Sequence, residues 1–378
     1  MSIAGLLIRR ERLRRDWSQE GLCRGICAAS YLSKLEQGRT EASEEIRSLL
    51  FTRLGLTWSD DADGTLRGRT EHCMEALFAG DGRALAVRFA PLRADEDTFL
   101  CSPCAADYLL LRAFAGGEDG ERRALDGELV PFLDRRQLAL QRALERRYEE
   151  AALLCPAPVI RLWQGSTLYA AGDYTAAAEV LQAAYDAAAA EGQARIMLLC
   201  RIYLGNCYSD CGDLMRMQAH YTVAARLAAA TGDTESLAAL RYNTAATQIE
   251  LGSFEDAYRY FSALESPGAL ALHKLAVCCE ALGRQDEALN ALTRADALPD
   301  KHAPEQQMLA LVRFRLEHPD YLHDARYGAL LTECFSLLRR ERGAGYARFH
   351  LPRMLEWYKA NRQYRQACLL LEEFPRFI

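Results

Sequence analysis

Four glycines, Gly172, Gly212, Gly252 and Gly283, each introduce a helical segment, and the positions counted back from them carry an unusual set of side chains. Trp163, Ser166 and Tyr169 precede the first, and Tyr203, Asn206 and Asp210 the second. Tyr242, Asn243 and Glu250 precede the third, and His273, Lys274 and Glu280 the fourth. An asparagine amide offers both a donor and an acceptor, so Asn206 and Asn243 can each hold one peptide unit of an extended ligand. The aromatic residues Trp163, Tyr169, Tyr203 and Tyr242 would supply pockets for its side chains, and Lys274 could meet a C-terminal carboxylate. The chemistry expected of this set is recognition of a short peptide of roughly five to ten residues at about 3.3 Å per residue, or of another small ligand. The competing reading is that both amides brace neighbouring helices or bind another protein.

Catalytic constellations are missing from the sequence. There is no phosphate-cradling glycine loop, no His-Glu-x-x-His and no nucleophile elbow, and Gly116-Gly117-Glu118-Asp119-Gly120 reads as a turn. An enzyme is therefore not expected. The one Cys-x-x-Cys, Cys101 and Cys104, lacks a second pair at zinc-finger spacing and a nearby histidine, so neither a metal nor a cofactor is expected. The thirteen cysteines are scattered and read as reduced core fillers.

The elements that position these residues are helical. Ala, Leu, Arg and Glu recur at three- and four-residue spacing, while β-branched alternation is scarce, which predicts an all-α protein. The turn glycines lie 40, 40 and 31 residues apart. Five positions after each comes Ala177, Met217, Ala257 or Ala288, and four later Leu181, Tyr221, Phe261 or Leu292. A glycine turn and a small residue suit two antiparallel helices whose backbones approach closely. Gly80-Asp81 with Ala84, the segment from Arg147 to Ala151, and Arg362 to Leu371 look like weaker copies, so 62–378 is expected to hold a stack of such hairpins. Irregular turns are expected over Gly116–Gly127 and Pro299–Pro319.

The first sixty residues differ. With ten basic and seven acidic residues over 1–58, this end is positive in a chain whose net charge is -6, so any nucleic-acid contact must be local. Ile3, Leu6, Leu7 and Leu13 mark an amphipathic helix carrying Arg9, Arg10, Arg12, Arg14 and Arg15. Ser18 is placed to cap a second helix, Gly25 to Cys27 to turn the chain, and 28–36 to form a third helix ended by Gly38, held together by Leu22, Ile26, Leu32 and Leu35. No apolar run approaches the roughly 18 to 20 residues of a membrane span, and no cleavable leader is evident, so a cytoplasmic protein is expected.

The segment from Trp17 to Gly38 resembles the helix-turn-helix of the lambda-repressor-like (XRE) class, and the hairpin pattern resembles the tetratricopeptide repeat, with Gly205 and Tyr208 at that family's first-helix glycine and aromatic positions. Together, 1–60 as a DNA-binding domain and 62–378 as a repeat domain resemble the Rgg, PlcR, PrgX and NprR (RRNPP) group of peptide-sensing transcription factors. The resemblance implies a quorum-sensing type of regulator that binds double-stranded DNA as a homodimer and takes a short signalling peptide in its repeat domain. The DNA-contacting residues it implies are Gln19, Ser30, Tyr31, Ser33, Lys34 and Arg39, with Gln19 and the first-helix arginines on phosphates and Ser30 and Ser33 nearer base edges. Arg12 and Glu36 fall where that class pairs its first helix with the end of its recognition helix. Ala28 and Ala29 depart from the class by removing a polar cap and a polar base-reading side chain. The alternative is accordingly a tetratricopeptide interaction scaffold whose helix-turn-helix no longer reads DNA. Dimerisation is expected through Leu330, Leu331, Phe335, Leu337 and Leu338 and the last unit around Trp357, Tyr358 and 369–371, because an uncovered repeat end needs a cap or a partner.

Overall fold

The computed structural model describes residues 3–116, 125, 127–299, 302–341 and 344–373, and among them every regular element is a helix. Two compact units are present, Met1–Ser166 with Ala183–Met197, and Thr167–Gln182 with Leu198–Ile378. The first contains α1 (Ala4–Arg14), α2 (Gln19–Cys23), α3 (Ala29–Glu36), α4 (Glu44–Arg53), α5 (Thr65–Phe78), α6 (Gly82–Phe89), α7 (Glu96–Leu100), α8 (Ala105–Ala115), α9 (Arg135–Leu144) and α10 (Tyr148–Leu154). The chain passes between units within α11 (Pro158–Ala171), α12 (Tyr174–Ala190) and α13 (Ala194–Asp210). The second unit continues through α14 (Leu214–Thr231), α15 (Thr234–Glu250), α16 (Phe254–Ser262), α17 (Ala269–Ala281), α18 (Gln285–Asp296), α19 (Ala303–Glu317), α20 (Ala325–Glu341), α21 (Ala344–Ala360) and α22 (Tyr364–Glu373).

In the first unit, α1 to α4 close around Leu6, Ile8, Leu22, Leu32, Leu35, Leu50 and Phe51, and the same core takes in Cys101, Ala105, Ala106 and Leu129 from the helices that follow. Ser18 caps α2 by accepting from the Gly21 N–H at 3.0 Å, whereas Ala28 leaves the start of α3 without a side-chain cap. Leu13 departs from the expected apolar face of α1, for its side chain lies half exposed beyond the core.

From Gly172 onward the repeat chemistry is explicit. Gly172, Gly212, Gly252 and Gly283 all have positive φ, and so do Gly192 and Gly232, which makes the underlying turn spacing 20 residues between Gly172 and Gly252. A glycine ends one helix in the left-handed region and the aspartate after it caps the next, as Asp173, Asp213 and Asp233 do by accepting from Ala176, Arg216 and Ser236 N–H groups. Ala177, Met217, Ala257, Ala288 and the larger Leu181, Tyr221, Phe261 and Leu292 are buried at the helix contacts. Gly205 on α13 faces the Tyr221 ring of α14 so closely that a Cβ would overlap it.

Two expectations are corrected. The stretch Pro299–Pro319 is not irregular: α19 occupies most of it, with Pro304 in the first turn, where a missing N–H costs nothing. The cluster on α20 is not a free surface either, because Leu331, Phe335 and Leu338 are buried in a core with Tyr327, Met354 and Leu370 of the same unit. Of the segment Gly116–Gly127, residues 117–124 and 126 lie outside the described residues.

Candidate functional site

The second unit contains a cavity of about 660 Å³ lined by α11 to α15, α17, α19 and α21. On its floor the Tyr221 hydroxyl donates to Asn206 Oδ1 at 2.6 Å. One tyrosine from α14 thus holds an amide from α13, and Asn243 lines the same cavity from α15. Asn206 therefore braces a neighbouring helix and lines the cavity at once. Both side chains retain hydrogen-bonding capacity, which is what a main-chain amide in the cavity would need.

Tyr169, Tyr242 and Lys274 also line the cavity, joined by Tyr174, Asp210, Glu250, Tyr346, Phe349 and His350. Trp163 and Tyr203 do not. Trp163 lies in the first unit, stacked on Phe114 with ring centroids 4.9 Å apart, and its neighbour Ser166 donates back to the Trp163 carbonyl. Tyr203 packs edge-on against Tyr169 at 5.8 Å, behind the wall. His273 is buried to 1% exposure, and Glu280 is spent on a bidentate pair with buried Arg315 at 2.6 Å.

Burial sets the charge states. It pushes the Tyr169 and Tyr221 hydroxyls well above their ordinary range. Asp210 is raised by burial, opposed by hydrogen bonds from Tyr169 and Tyr174 and by the charge of Arg348. Glu250, which lines the cavity and keeps part of its surface open to solvent, is also raised by the protein packed around it, with Lys274 and Arg348 opposing. Lys274 is lowered to about 7 by burial, against the pull of Glu250, and its ammonium stands 3.0 Å over the Phe349 ring. His350 is lowered to about 3 by burial and by the charges of Lys274, Arg315 and Arg353. The α21 contribution, Tyr346, Phe349 and His350, carried no signal in the sequence because it comes from a hairpin beyond the four clear repeats.

The second set of residues lies in the first unit. Arg12 Nε and Nη2 meet Glu36 Oε1 and Oε2 at 2.7 and 2.8 Å, both side chains being buried, and Gln19 Nε2 donates to the same carboxylate at 2.8 Å. The pair fixes α1 against the end of α3 as expected, and it raises the Arg12 guanidinium through its hydrogen bonds to Glu36. Ser30, Lys34 and Arg39 are exposed, and Ser33 is partly so. The Tyr31 hydroxyl donates to the Glu41 carbonyl at 3.0 Å, and Gln37 donates to Ser33 Oγ at 3.3 Å. Ser30, Lys34 and Gln37 therefore share the open face of α3, opposite Leu32 and Leu35.

Comparison with known proteins gives fold without family. No family model and no curated protein matches the sequence. Among solved structures, the apo form of the quorum sensor NprR from B. thuringiensis matches over 82% of this chain and 100% of that one, at 14% identity and a TM-score of 0.54. A Rap protein complexed with Competence and Sporulation Factor matches over 82% and 96%, at 14% identity and a TM-score of 0.55. The chain thus shares the helical-hairpin fold of these two proteins. Among the described residues no group of three or more His, Cys, Asp or Glu could hold a metal ion, Cys101 and Cys104 being buried thiols. No described helix is long and apolar enough to cross a membrane.

Proposed function

We propose that this chain is a peptide-responsive, DNA-binding transcriptional regulator of the cytoplasm and not an enzyme. The observation that carries the reading is the pair Asn206 and Asn243 in one aromatic-walled cavity, with Asn206 held by the Tyr221 hydroxyl: two such amides are suited to the main chain of an extended peptide. The fold likeness to a quorum sensor and to a protein solved with Competence and Sporulation Factor supports it. The first unit supplies the other half in this reading: Ser30, Ser33, Lys34 and Arg39 would meet double-stranded DNA, which their full or partial exposure supports, and Gln19 orients the helices through Glu36. The protein acts as a homodimer, for which the exposed Leu369 and Leu371 on α22 replace the α20 cluster as the contact.

Native mass spectrometry of the chain purified from its own host tests the cavity. A bound peptide of roughly five to ten residues is expected, the span set by about 3.3 Å per residue. It should be absent from the Asn206→Ala, Asn243→Ala double variant, purified and measured below that variant's own melting transition. Equal ligand in both proteins would refute the assignment. The reading as an interaction scaffold is favoured by one observation, the uncapped start of α3 at Ala28. It requires that Lys34→Ala combined with Ser30→Ala leave DNA affinity unchanged.

A further inference from the structure

One hairpin of the stack is cut short. Gly252 and Gly283 lie 31 residues apart, whereas 40 separate Gly172 from Gly212 and Gly212 from Gly252. The shortfall falls on the second helix of that hairpin. In the preceding hairpin α13 has 17 residues and α14 has 18, so the second helix covers the first along its length. In this one α15 has 17 residues and α16 only 9. A hairpin stack buries each helix against its neighbours, so a helix shortened by about 9 residues, about 14 Å at 1.5 Å per residue, leaves its neighbours uncovered over that length.

A cavity of about 990 Å³ occupies this place. Ala225 and Ala229 of α14, Leu240 of α15 and Leu264 just past the end of α16 give it an apolar lining. Arg226, Arg241 and Arg259 line it as well, one from each of the three helices, and all three are exposed. Asp256 is the one carboxylate in the lining, and it is paired with Arg259 at 3.3 Å. Arg226 and Arg241 form no ion pair among the described residues. The groove therefore combines an apolar surface shaped by a shortened helix with two uncommitted guanidinium groups.

We propose that this groove docks an acidic amphipathic helix of about two turns, carried by a partner protein, in the place that the second half of α16 would take in a full-length hairpin. The repeat sets the occupant's conformation and length, because what covers the corresponding face in the preceding hairpin is a helix. Apolar residues at i, i+3, i+4 and i+7 of the incoming helix would lie over Leu240, Ala225 and Ala229. Asp or Glu on its flanks would accept from Arg226 and Arg241, whose planar forks suit carboxylates. A basic helix of the same shape would meet like charge there. Tyr221 alone lines both this groove and the peptide cavity, so substitutions at Arg226, Ala229 and Arg241 leave the lining of that cavity intact.

The test uses the full chain and fluorescent peptides of about nine residues, each held helical by a side-chain staple because so short a helix does not persist alone in water. All carry Leu and Ala along one face; one set has Glu on the flanks of that face and the other has Lys. In fluorescence anisotropy at a single low salt concentration, the Glu set should bind at least about tenfold more tightly than the Lys set, the scale on which like charge excludes a wrong partner. Arg226→Gln combined with Arg241→Gln should remove the preference, and Ala229→Trp should remove binding of the Glu set by filling the groove. A smaller or reversed preference, binding that survives Ala229→Trp, or no binding of either set overturns the proposal. So does a dimer that dissociates in the Arg226→Gln, Arg241→Gln variant under light scattering, which would give the groove to a second copy of the chain. Duplex DNA whose affinity falls by about tenfold in that variant would give it to nucleic acid, and overturns the proposal equally.

Discussion

Tyr221 is the residue on which the cavity floor turns. Its ring is fixed by the absent side chain of Gly205 and its hydroxyl by the Asn206 amide. Tyr221→Phe removes that hydrogen bond without changing the packing, so a stability loss of about 1 kcal/mol is expected in urea unfolding, together with a fall in peptide affinity. A second effect belongs to His350. Its imidazole titrates near 3 in the folded chain and near 6.5 unfolded, so between those values the unfolded state binds more protons and acid removes stability. The raised carboxyls of Asp210 and Glu250 act in the opposite sense, being more stabilising in acid, so the comparison with His350→Gln isolates the histidine. The unfolding free energy of the parent relative to that variant should fall by a few kcal/mol from pH 6.5 to pH 3, and a constant difference would contradict it. The asparagines were legible in the sequence because turn glycines gave them a register. Tyr221 was legible only as a packing residue, since its second task depends on where its hydroxyl ends, and periodicity does not encode that.

Among the elements, the hairpins were legible because glycine, aspartate and alanine each leave a local mark. The 20-residue turn spacing was half hidden: Gly192 and Gly232 close turns between hairpins, but the small-residue pattern that flags the turns within hairpins does not follow them. The helix over 303–317 was missed because Pro304 and the flanking charges read as breakers, although a proline is harmless in a first turn. At the α13–α14 contact, Gly205→Ala forces a methyl group into the Tyr221 ring, and overpacking of this kind costs about 1–3 kcal/mol. A lowered melting temperature with loss of ligand should result. At the α1–α3 contact, Glu36→Ala strands the buried Arg12 guanidinium and releases Gln19, a loss of about 3–5 kcal/mol. Replacing both partners by apolar residues should recover most of that stability, as thermal unfolding of the double variant would show.

For the whole molecule, the acidic net charge of -6 and the basic first helix together confine any DNA contact to one end of the sequence. Assembly was not legible, because an apolar run such as 330–338 looks the same whether a neighbouring helix or a second chain covers it. Light scattering at micromolar concentration should give twice the monomer mass, falling to the monomer in a Leu369→Glu, Leu371→Glu variant. The central claim is that ligand in the second unit controls DNA binding by the first. Fluorescence anisotropy with DNA from upstream of the chain's own coding sequence, at one stated low salt concentration, tests it most directly. Affinity should change at least about fivefold, the lower end of ordinary allosteric coupling, when the peptide recovered from the cavity is added, and should not change in the Asn206→Ala, Asn243→Ala variant. DNA binding that is absent, or that is the same with and without peptide, would contradict the account.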